Sequence, residues 1–379
     1  LDIVLDIQAN KLENNFELDI EEHHKAARKA AEESMVLLKN EKNILPLSSD
    51  TEVAVIGDFA TKPRYQVSGS SMVNPTKLDN SVELIKDSEL NFLGYEKGFN
   101  RYGKDNKTLK NPACELAKKA EVVLLYLGLD ESTESEGKDR KNMKINHNQI
   151  ELLKELKKYN ENIVVILSGG SAIEMSWIDD CQGLIYACLP GQAGAGAILN
   201  VLTGEVNPGG KLNETFPIKY SDAPASNYFP GKERTVEHRE AIYVGYRYYD
   251  KVEKELCFPF GYGLSYTNFE YSNLKVSKSK VSFSLKNTGE LAGAEVAQLY
   301  IGLKDSDIFR AKKELKGFKK LYLEAGEKKE VVIEVDDKAF RYFNTVTNIF
   351  EIEAGEYQIY VGSSSQDIRL QESLKVEGK

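Results

Sequence analysis

A chain of 379 residues is long enough for two or three domains, since a domain commonly takes about 100 to 200 residues. The net charge of −9, with 29% charged residues of mixed sign and no long basic run, argues against nucleic acid as a partner. No stretch of about 18 apolar residues occurs, so no membrane-spanning helix is predicted. The four cysteines form neither a C-x-x-C pair nor a metal-like group with the four histidines, which favours reduced thiols, a cytoplasmic setting and no metal or other cofactor.

Residues 1–50 are predicted to be a connector. The segment Leu1 to Ile7 has neither the basic start nor the small-residue cleavage site of a signal peptide, and we expect it to be the tail of a longer polypeptide. Asp19 and Glu22 form a candidate capping box before an amphipathic helix, which leads into a strand. One face of that helix carries Ala26, Ala27, Ala30, Ala31 and Met35.

Residues 51–217 alternate short apolar runs with helical segments, which predicts a parallel sheet with helices on both faces. The segments are Val53 to Ile56, Ser81 to Lys86, Val122 to Leu127, His147 to Lys158, Ile163 to Leu167, Leu184 to Cys188 and Gly191 to Leu202. The run from Val122 to Leu127 is apolar throughout, as expected for a central strand that is covered on both faces. Open α/β sheets bind ligands at loops that follow the carboxyl ends of such strands.

Three glutamates, Glu131, Glu134 and Glu136, lie in the loop after that strand. Gly137 permits a tight turn that would present the Glu136 carboxylate outward, which suits a general acid. Composition alone favours the simpler alternative of a solvated connection, because surface loops are normally polar.

Three glycines, Gly191, Gly194 and Gly196, follow a predicted strand and open a helix, where free backbone amides could bind the phosphate of a nucleotide. Their spacing, G-x-x-G-x-G, is the reverse of the dinucleotide fingerprint, and no Lys-Ser/Thr follows as in a P-loop. We favour tight turning and close helix packing as their role, with a nucleotide-binding module as the alternative.

Residues 218–268 are rich in Tyr, Phe, Pro and Gly, and are too aromatic for a flexible linker. Their tyrosines would either stack on a sugar ring or, as we favour, bury area between two domains. These tyrosines are Tyr243, Tyr246, Tyr248 and Tyr249.

Residues 269–379 replace helical periodicity with period-two alternation. Val281, Phe283 and Leu285 alternate with serines, and the segment from Tyr357 to Val361 repeats the pattern. Turn residues separate these runs, so the sequence predicts a small antiparallel, immunoglobulin-like sandwich without catalytic residues.

Several stretches resemble, in family order, glycoside hydrolase family 3, the β-glucosidase family. His23 to Asn40 is similar to the helix by which these enzymes enter their second domain, and Ser135 to Met143, S-E-G-K-D-R-K-N-M, is similar to their acid/base loop. Leu189 to Leu212, Tyr243 to Asp250 and Phe258 to Thr267 also look like family signatures.

The resemblance implies the C-terminal part of a retaining β-glucosidase, with a parallel-sheet α/β sandwich followed by an all-β, fibronectin type III-like sandwich. A retaining glycosidase needs two carboxyl groups about 5 to 5.5 Å apart. In the family the nucleophile is an Asp on a preceding (β/α)8-type barrel, typically in an S-D-W motif, which this sequence lacks. The barrel is therefore the implied partner domain, and the chain alone is expected to be inactive.

The resemblance also assigns the acid/base. Glu136 precedes the glycine as the acid/base does in glutamate-bearing members, whereas Glu134 is the runner-up and Glu131 follows it. Asp139 and Arg140 are expected to form a structural ion pair that shapes the loop.

Residues 64–75 are similar to the family's glycine- and serine-rich active-site loop, although Val67 and Ser68 stand where the family usually has glycines. Ser70 is predicted to contact the sugar or nearby acid groups, and Arg64 to bind substrate. A plain surface turn is the alternative.

The expected substrate is a β-glucoside or oligosaccharide with a terminal, non-reducing β-D-glucosyl residue. A β-xylosidase of the same family stays open, and so does a homo-oligomer. β-N-acetylglucosaminidase is disfavoured, because that branch of the family often carries its acid/base on the barrel. A non-catalytic carbohydrate-binding or structural module is the alternative of another class, since the chain lacks a nucleophile.

Overall fold

The computed structural model describes residues 18–379, so the interpretation of Leu1 to Ile7 as a tail lies outside the described residues. Two hydrophobic cores are present. One is built from residues between Ala31 and Phe258, and the other from residues between Tyr271 and Val376. The predicted order, an α/β layer structure followed by an all-β sandwich, is confirmed.

The first core surrounds a six-stranded sheet of order β1-β6-β5-β4-β2-β3, in which β1 is antiparallel to β6 and the other neighbours are parallel. Its strands are β1 (Val36–Asn40), β2 (Glu52–Ile56), β3 (Asn91–Glu96), β4 (Val122–Gly128), β5 (Ile163–Ser168) and β6 (Gly183–Cys188). Its helices are α1 (Ile20–Ser34), α2 (Ser81–Lys86), α3 (Lys107–Ala117), α4 (His147–Lys157) and α5 (Gly194–Thr203). Because β2 to β6 run in one direction, the loops that follow them meet at one edge of the sheet.

The described part of the predicted connector, residues 18–50, belongs to the first domain. The Asp19 side chain accepts a hydrogen bond from the Glu22 backbone N–H at 2.9 Å and caps α1. The helix ends at Ser34, and β1 then pairs with β6 as an edge strand of the sheet. The remaining domain boundaries proposed from the sequence stay predictions.

Close packing accounts for two of the three glycines near α5. A Cβ on Gly194 would lie 2.3 Å from the Pro190 ring, and one on Gly196 would lie 2.5 Å from the Arg28 guanidinium of α1. Gly191 has a φ of +72° in the turn before the helix. These contacts favour turning and helix packing over phosphate binding.

The second core lies between two antiparallel sheets of order β13-β10-β9 and β12-β11-β16-β17, with a separate ribbon β14-β15. Its strands are β9 (Phe269–Val276), β10 (Lys280–Asn287), β11 (Gly293–Leu303), β12 (Glu314–Leu323), β13 (Lys328–Glu334), β14 (Arg341–Asn344), β15 (Ile349–Ile352), β16 (Gly355–Gly362) and β17 (Ile368–Val376). Val281, Phe283 and Leu285 of β10 are all buried, as the period-two pattern predicted.

The aromatic segment joins the two domains through buried rings. It contains α6 (Tyr246–Val252) and β8 (Leu256–Phe258), and β8 pairs with β7 (Phe216–Pro217), which directly precedes the segment. Tyr246 stacks on Phe260 at 4.9 Å and meets Tyr300 of β11 edge to face at 5.9 Å. Its hydroxyl accepts a hydrogen bond from the Leu315 backbone N–H at 2.7 Å. This arrangement favours burial between domains as the role of the aromatics.

The cysteines form no disulfide: Cys114 and Cys181 are buried, and Cys188 and Cys257 are half-buried. Within residues 18–379, no helix is both long enough and apolar enough to cross a lipid bilayer.

Candidate active site

Two loops meet at the carboxyl edge of the parallel strands. One follows β2 (residues 57–80) and the other follows β4 (residues 129–146). The Glu136 backbone N–H donates to the Ser68 carbonyl oxygen at 2.9 Å, and the Ser68 hydroxyl donates to the Glu131 carbonyl oxygen at 2.8 Å. Hydrogen bonds therefore join the two loops, and the two candidate loops predicted from the sequence lie side by side.

Gly69 lets the two loops approach. Its φ is +117°, and a Cβ there would lie 2.6 Å from the Cβ of Glu136. Gly137 also has a positive φ, +72°, but a Cβ on it would have no atom within 4 Å. Gly69 is thus required for contact between the loops, whereas Gly137 only turns the chain after Glu136.

The Glu136 side chain is held by Ser70. The Ser70 backbone N–H donates to Oε2 of Glu136 at 2.9 Å, and the Ser70 hydroxyl donates to the same oxygen. The hydrogen bond from the Ser70 hydroxyl, followed by those from the backbone, holds the pKa of Glu136 below its ordinary value, because these bonds favour the charged form. Ser70 therefore contacts the Glu136 carboxylate, whereas a contact of Ser70 with the sugar stays a prediction.

The Glu134 carboxylate is hydrogen-bonded within the protein. It accepts hydrogen bonds from the Gly170 backbone N–H at 2.9 Å and from the Ser171 hydroxyl at 2.8 Å, both in the loop after β5. The Arg64 guanidinium lies 3.8 Å away, and the Glu134 side chain is only 12% exposed. Glu134 therefore links the β4 loop to the β5 loop.

Glu131 is paired with a cation. Arg101 binds it through two hydrogen bonds, of 2.9 and 2.6 Å, and also binds the buried Asp58 at 2.9 Å. Burial is the largest single influence and would raise the pKa of Glu131, but the hydrogen bonds it accepts and the charges of Arg101 and Arg64 together outweigh burial, so the pKa lies below its ordinary value. Glu131 therefore belongs to a fixed ion network beside the site.

Arg64 lies beneath the two loops and is buried. It donates to three backbone carbonyl oxygens, those of Leu129 at 3.2 Å, Glu134 at 2.7 Å and Gln66. These bonds join the β2 loop to the β4 loop, so in the structure Arg64 acts as a brace between them. A contact of Arg64 with substrate stays a prediction.

Arg140 does not form the predicted ion pair with Asp139. Its Nη1 donates to the Ser171 hydroxyl at 2.6 Å and to the Ala172 carbonyl oxygen at 3.2 Å, whereas Asp139 is exposed. The long side chain reaches the loop after β5, because neighbouring parallel strands bring their loops together at this edge. Among the described residues, no group of three His, Cys, Asp or Glu side chains is placed to hold a metal ion.

The sequence reasoning missed four contributors to the site, namely Asp58, Ser68, Gly69 and Arg101. Asp58 follows β2 and Arg101 follows β3, so the rule that places ligand-binding loops after parallel strands would have identified both, had β3 been predicted. The sequence shows only a glycine directly before Ser70 at position 69, and its positive φ becomes visible only in the structure.

Comparison with known proteins identifies both domains. Residues 35–266 match the glycosyl hydrolase family 3 C-terminal domain, and residues 295–365 match a fibronectin type III-like domain. The chain is 46% identical over 380 residues to a thermostable β-glucosidase B of Acetivibrio thermocellus, which covers 97% of this chain and 50% of the relative. It is 38% identical over 394 residues to an exo-α-(1→6)-L-arabinopyranosidase of Bifidobacterium breve, covering 100% of this chain and 52% of the relative.

A solved structure gives the same assignment. The crystal structure of a family 3 β-glucosidase from Bifidobacterium adolescentis matches with a TM-score of 0.95 and 38% identity, covering 100% of this chain and 57% of that one. The chain spans about half the length of the curated relatives it matches. The family predicted from the sequence is confirmed: the chain belongs to glycosyl hydrolase family 3 and contains that family's C-terminal domain.

Proposed function

We propose that this chain supplies Glu136 as the general acid/base of a retaining β-glucosidase, whose nucleophile lies on a preceding barrel domain. One observation carries the proposal. Of the three loop glutamates, Glu131 is bound by Arg101 and Glu134 by the loop after β5, whereas the exposed Glu136 accepts hydrogen bonds only from Ser70 and the Ser71 backbone N–H among the described residues and pairs with no cation there. A group that gives and takes a proton must reach the substrate, and Glu136 alone meets that condition.

In this reaction Glu136 first protonates the glycosidic oxygen as the leaving group departs, and later takes a proton from the water that attacks the glycosyl-enzyme. The barrel carboxylate would lie about 5 to 5.5 Å away. Ser70 would hold the Glu136 carboxylate in place through both steps. The sugar and the barrel would exclude water from Glu136 and place a second carboxylate nearby, and both changes raise the pKa of an acid.

The names of the relatives support a β-glucoside as the substrate. Crystal structures of family members from Kluyveromyces marxianus and Thermotoga neapolitana, at 28% and 34% identity, were solved in complex with glucose. An α-L-arabinopyranoside is the second candidate, supported by the relative from Bifidobacterium breve. A β-xyloside, the alternative predicted from the sequence, is the third candidate, and the experiment below compares all three sugars.

The test uses the chain joined to a family 3 barrel, with and without Glu136→Gln, and with Glu134→Gln as the matched control. Loss of a general acid/base lowers turnover of an alkyl β-glucoside by about 100- to 10,000-fold. A nitrophenyl β-glucoside, whose leaving group needs no proton, should retain more activity with Glu136→Gln, and added azide should restore turnover. Nitrophenyl α-L-arabinopyranoside and β-xyloside identify the preferred sugar.

Unchanged hydrolysis by Glu136→Gln, or azide rescue of Glu134→Gln instead, would overturn the assignment. The chain by itself is expected to be inactive on all three sugars, because the nucleophile is proposed to lie on the barrel. Turnover by the chain alone would refute the two-part site.

A further inference from the structure

A second cleft lies far along the chain from the glutamate loop, between the aromatic segment and the fibronectin type III-like domain. Its walls come from residues 242–247, the loop 308–311 and the ribbon β14-β15. The cleft has a volume of about 540 Å³, within the size range of small-molecule sites. Neither the proposed hydrolysis nor the comparisons assign it a role.

Three phenylalanines line this cleft with their rings largely exposed. Phe309, Phe343 and Phe350 are 69%, 46% and 64% exposed. Phe343 and Phe350 pack edge to face at 5.2 Å, and Phe309 packs in the same way on Tyr243 at 4.8 Å. Exposed phenyl rings gathered in one concave site suit a flat apolar ligand.

The cleft is cationic, although the chain carries a net charge of −9. Five basic side chains line it, with Glu314 as the one acidic residue; the five are Arg247, Arg310, Lys316, Lys338 and Arg341. Glu314 lies 3.6 Å from Arg247 and 3.1 Å from Lys316. Within the described part of the chain, Lys338 and Arg341 have no carboxylate at ion-pair distance.

Arg310 is largely buried in the wall of the cleft. Its side chain is only 10% exposed, and its buried Nη1 makes no hydrogen bond within residues 18–379. The carboxylate of Glu353 lies 3.6 Å away but already accepts hydrogen bonds from Ser306 and from the Asp307 backbone N–H. Buried guanidinium donors are normally hydrogen-bonded, because leaving one unsatisfied is costly. The Nη1 of Arg310 faces Glu353 and is closed off from the cleft, but Arg310 lines the cleft and adds its positive charge to that of Arg341 there.

We propose that this cleft binds a small aromatic carboxylate, a planar ring that carries one acidic group. The carboxylate would accept hydrogen bonds from the guanidinium group of Arg341, whose planar donors match two carboxylate oxygens, and the positive charge of the neighbouring Arg310 would favour it. The ring would pack against Phe309 and Phe350. A neutral aromatic lacks the first interaction and a simple carboxylate lacks the second, so affinity requires both parts of the ligand.

Binding of trans-cinnamate to the full chain is measured by ligand-observed NMR. Saturable binding is expected at about 1 mM or below, with cinnamyl alcohol and acetate at least about tenfold weaker. Arg341→Gln should weaken cinnamate about tenfold, and Phe350→Ala about fivefold. The matched controls lie outside the cleft: Arg234→Gln, and Phe318→Ala, whose ring is 66% exposed. Both should bind cinnamate as the unchanged chain does.

The proposal would be overturned if binding of cinnamate did not saturate up to about 10 mM, or if cinnamyl alcohol or acetate bound with the same affinity as cinnamate. It would also be overturned if the control variants weakened cinnamate binding as much as the cleft variants do. Binding of a glucuronate-bearing oligosaccharide without binding of cinnamate is the fourth outcome against it. Arg310→Met is informative only if its thermal unfolding matches that of the unchanged chain. The exposed Phe350 and Arg341 variants therefore carry the decision. The test needs no glycosidase activity, so its result is independent of the proposed hydrolysis.

Discussion

Replacing Gly69 with alanine tests whether contact between the two loops positions Glu136. The new Cβ would lie 2.6 Å from the Cβ of Glu136 and 3.2 Å from its Oε2, whereas ordinary contact begins at 3.4 Å. Glu136 must therefore move by about 0.8 Å, and a misplacement of about 1 Å can cost about 100-fold in rate. We expect kcat on an alkyl β-glucoside to fall about 100-fold in the barrel-joined protein.

Gly137→Ala is the matched control, because this glycine also has a positive φ but open space around its Cβ. Both variants should lose about 1 kcal/mol of unfolding free energy from the backbone alone, since alanine disfavours a positive φ, and Gly69→Ala should lose more because its Cβ also meets Glu136. Only Gly69→Ala should separate Ser70 from Glu136. In the chain alone, that separation should raise the pKa of the Glu136 carboxyl, as measured by ¹³C NMR titration. Equal activity and equal Glu136 titration in the two variants would refute the reasoning.

Three further predictions concern the hydrogen bonds and ion pairs. Ser70→Ala should raise the pKa of Glu136 toward its ordinary value, because the lost hydroxyl bond is the largest cause of the lowering; ¹³C NMR titration measures it. Asp58→Asn should cost about 3 kcal/mol of unfolding free energy at neutral pH in urea titrations, because it breaks a buried ion pair with Arg101. Lys211→Met should cost about 3 kcal/mol, because it leaves the buried Glu295 of the second domain without its cation, 3.0 Å away.

The pH dependence of the Asp58 prediction follows from its environment. Burial is the largest single influence and would raise its pKa, but the hydrogen bonds and positive charges of Lys97 and Arg101 together outweigh burial, so the pKa of Asp58 in the folded chain lies below its ordinary value. A lowered acid pKa contributes stability that is complete above the unfolded pKa of about 4 and is lost as the pH falls through the folded pKa. The difference between Asp58→Asn and the unchanged chain should therefore shrink below about pH 4.

Variants at three exposed residues serve as controls for these predictions. Ser71→Ala removes an exposed hydroxyl but keeps the backbone N–H that bonds Glu136, so it should leave the titration of Glu136 unchanged. Asp87→Asn and Lys319→Met change exposed side chains, so they should stay within about 0.5 kcal/mol of the unchanged chain. For Lys211→Met, the single tryptophan, Trp177, reports the first domain, while far-UV circular dichroism also reports the sandwich. A loss of stability in these controls as large as in the buried variants would contradict the ion-pair argument.

The sequence predicted the central strands because burial on both faces leaves an unbroken apolar run. Every residue of β4 and β5 is buried, and both strands were expected close to their observed bounds. The edge strand β3 is only half-buried and mixes polar with apolar residues, so it has no such signature. The helix α3 was not among the predicted segments, and it contains Pro112, which ordinarily argues against a helix interior.

The sequence predicted where the candidate site lies but not how its side chains are arranged. A glutamate-rich loop after a buried strand marked the place. The roles of the glutamates depend on partners far away in sequence: Arg101 for Glu131 and Gly170 for Glu134, which are 30 and 36 residues away. Spacing within the loop carries no information on such contacts, so only the fold separates the three carboxylates.

The environment of Glu136 suggests a division of roles within the proposed enzyme. Gly69, Ser68 and Arg64 fix the position of the loop, and Ser70 fixes the carboxylate in its charged form, with its pKa below the ordinary value. A general acid must instead be protonated when the substrate arrives, which requires burial and a neighbouring negative charge. Both would come from the sugar and the barrel. This chain would therefore contribute the geometry of the acid, whereas assembly of the complete site would contribute its acidity.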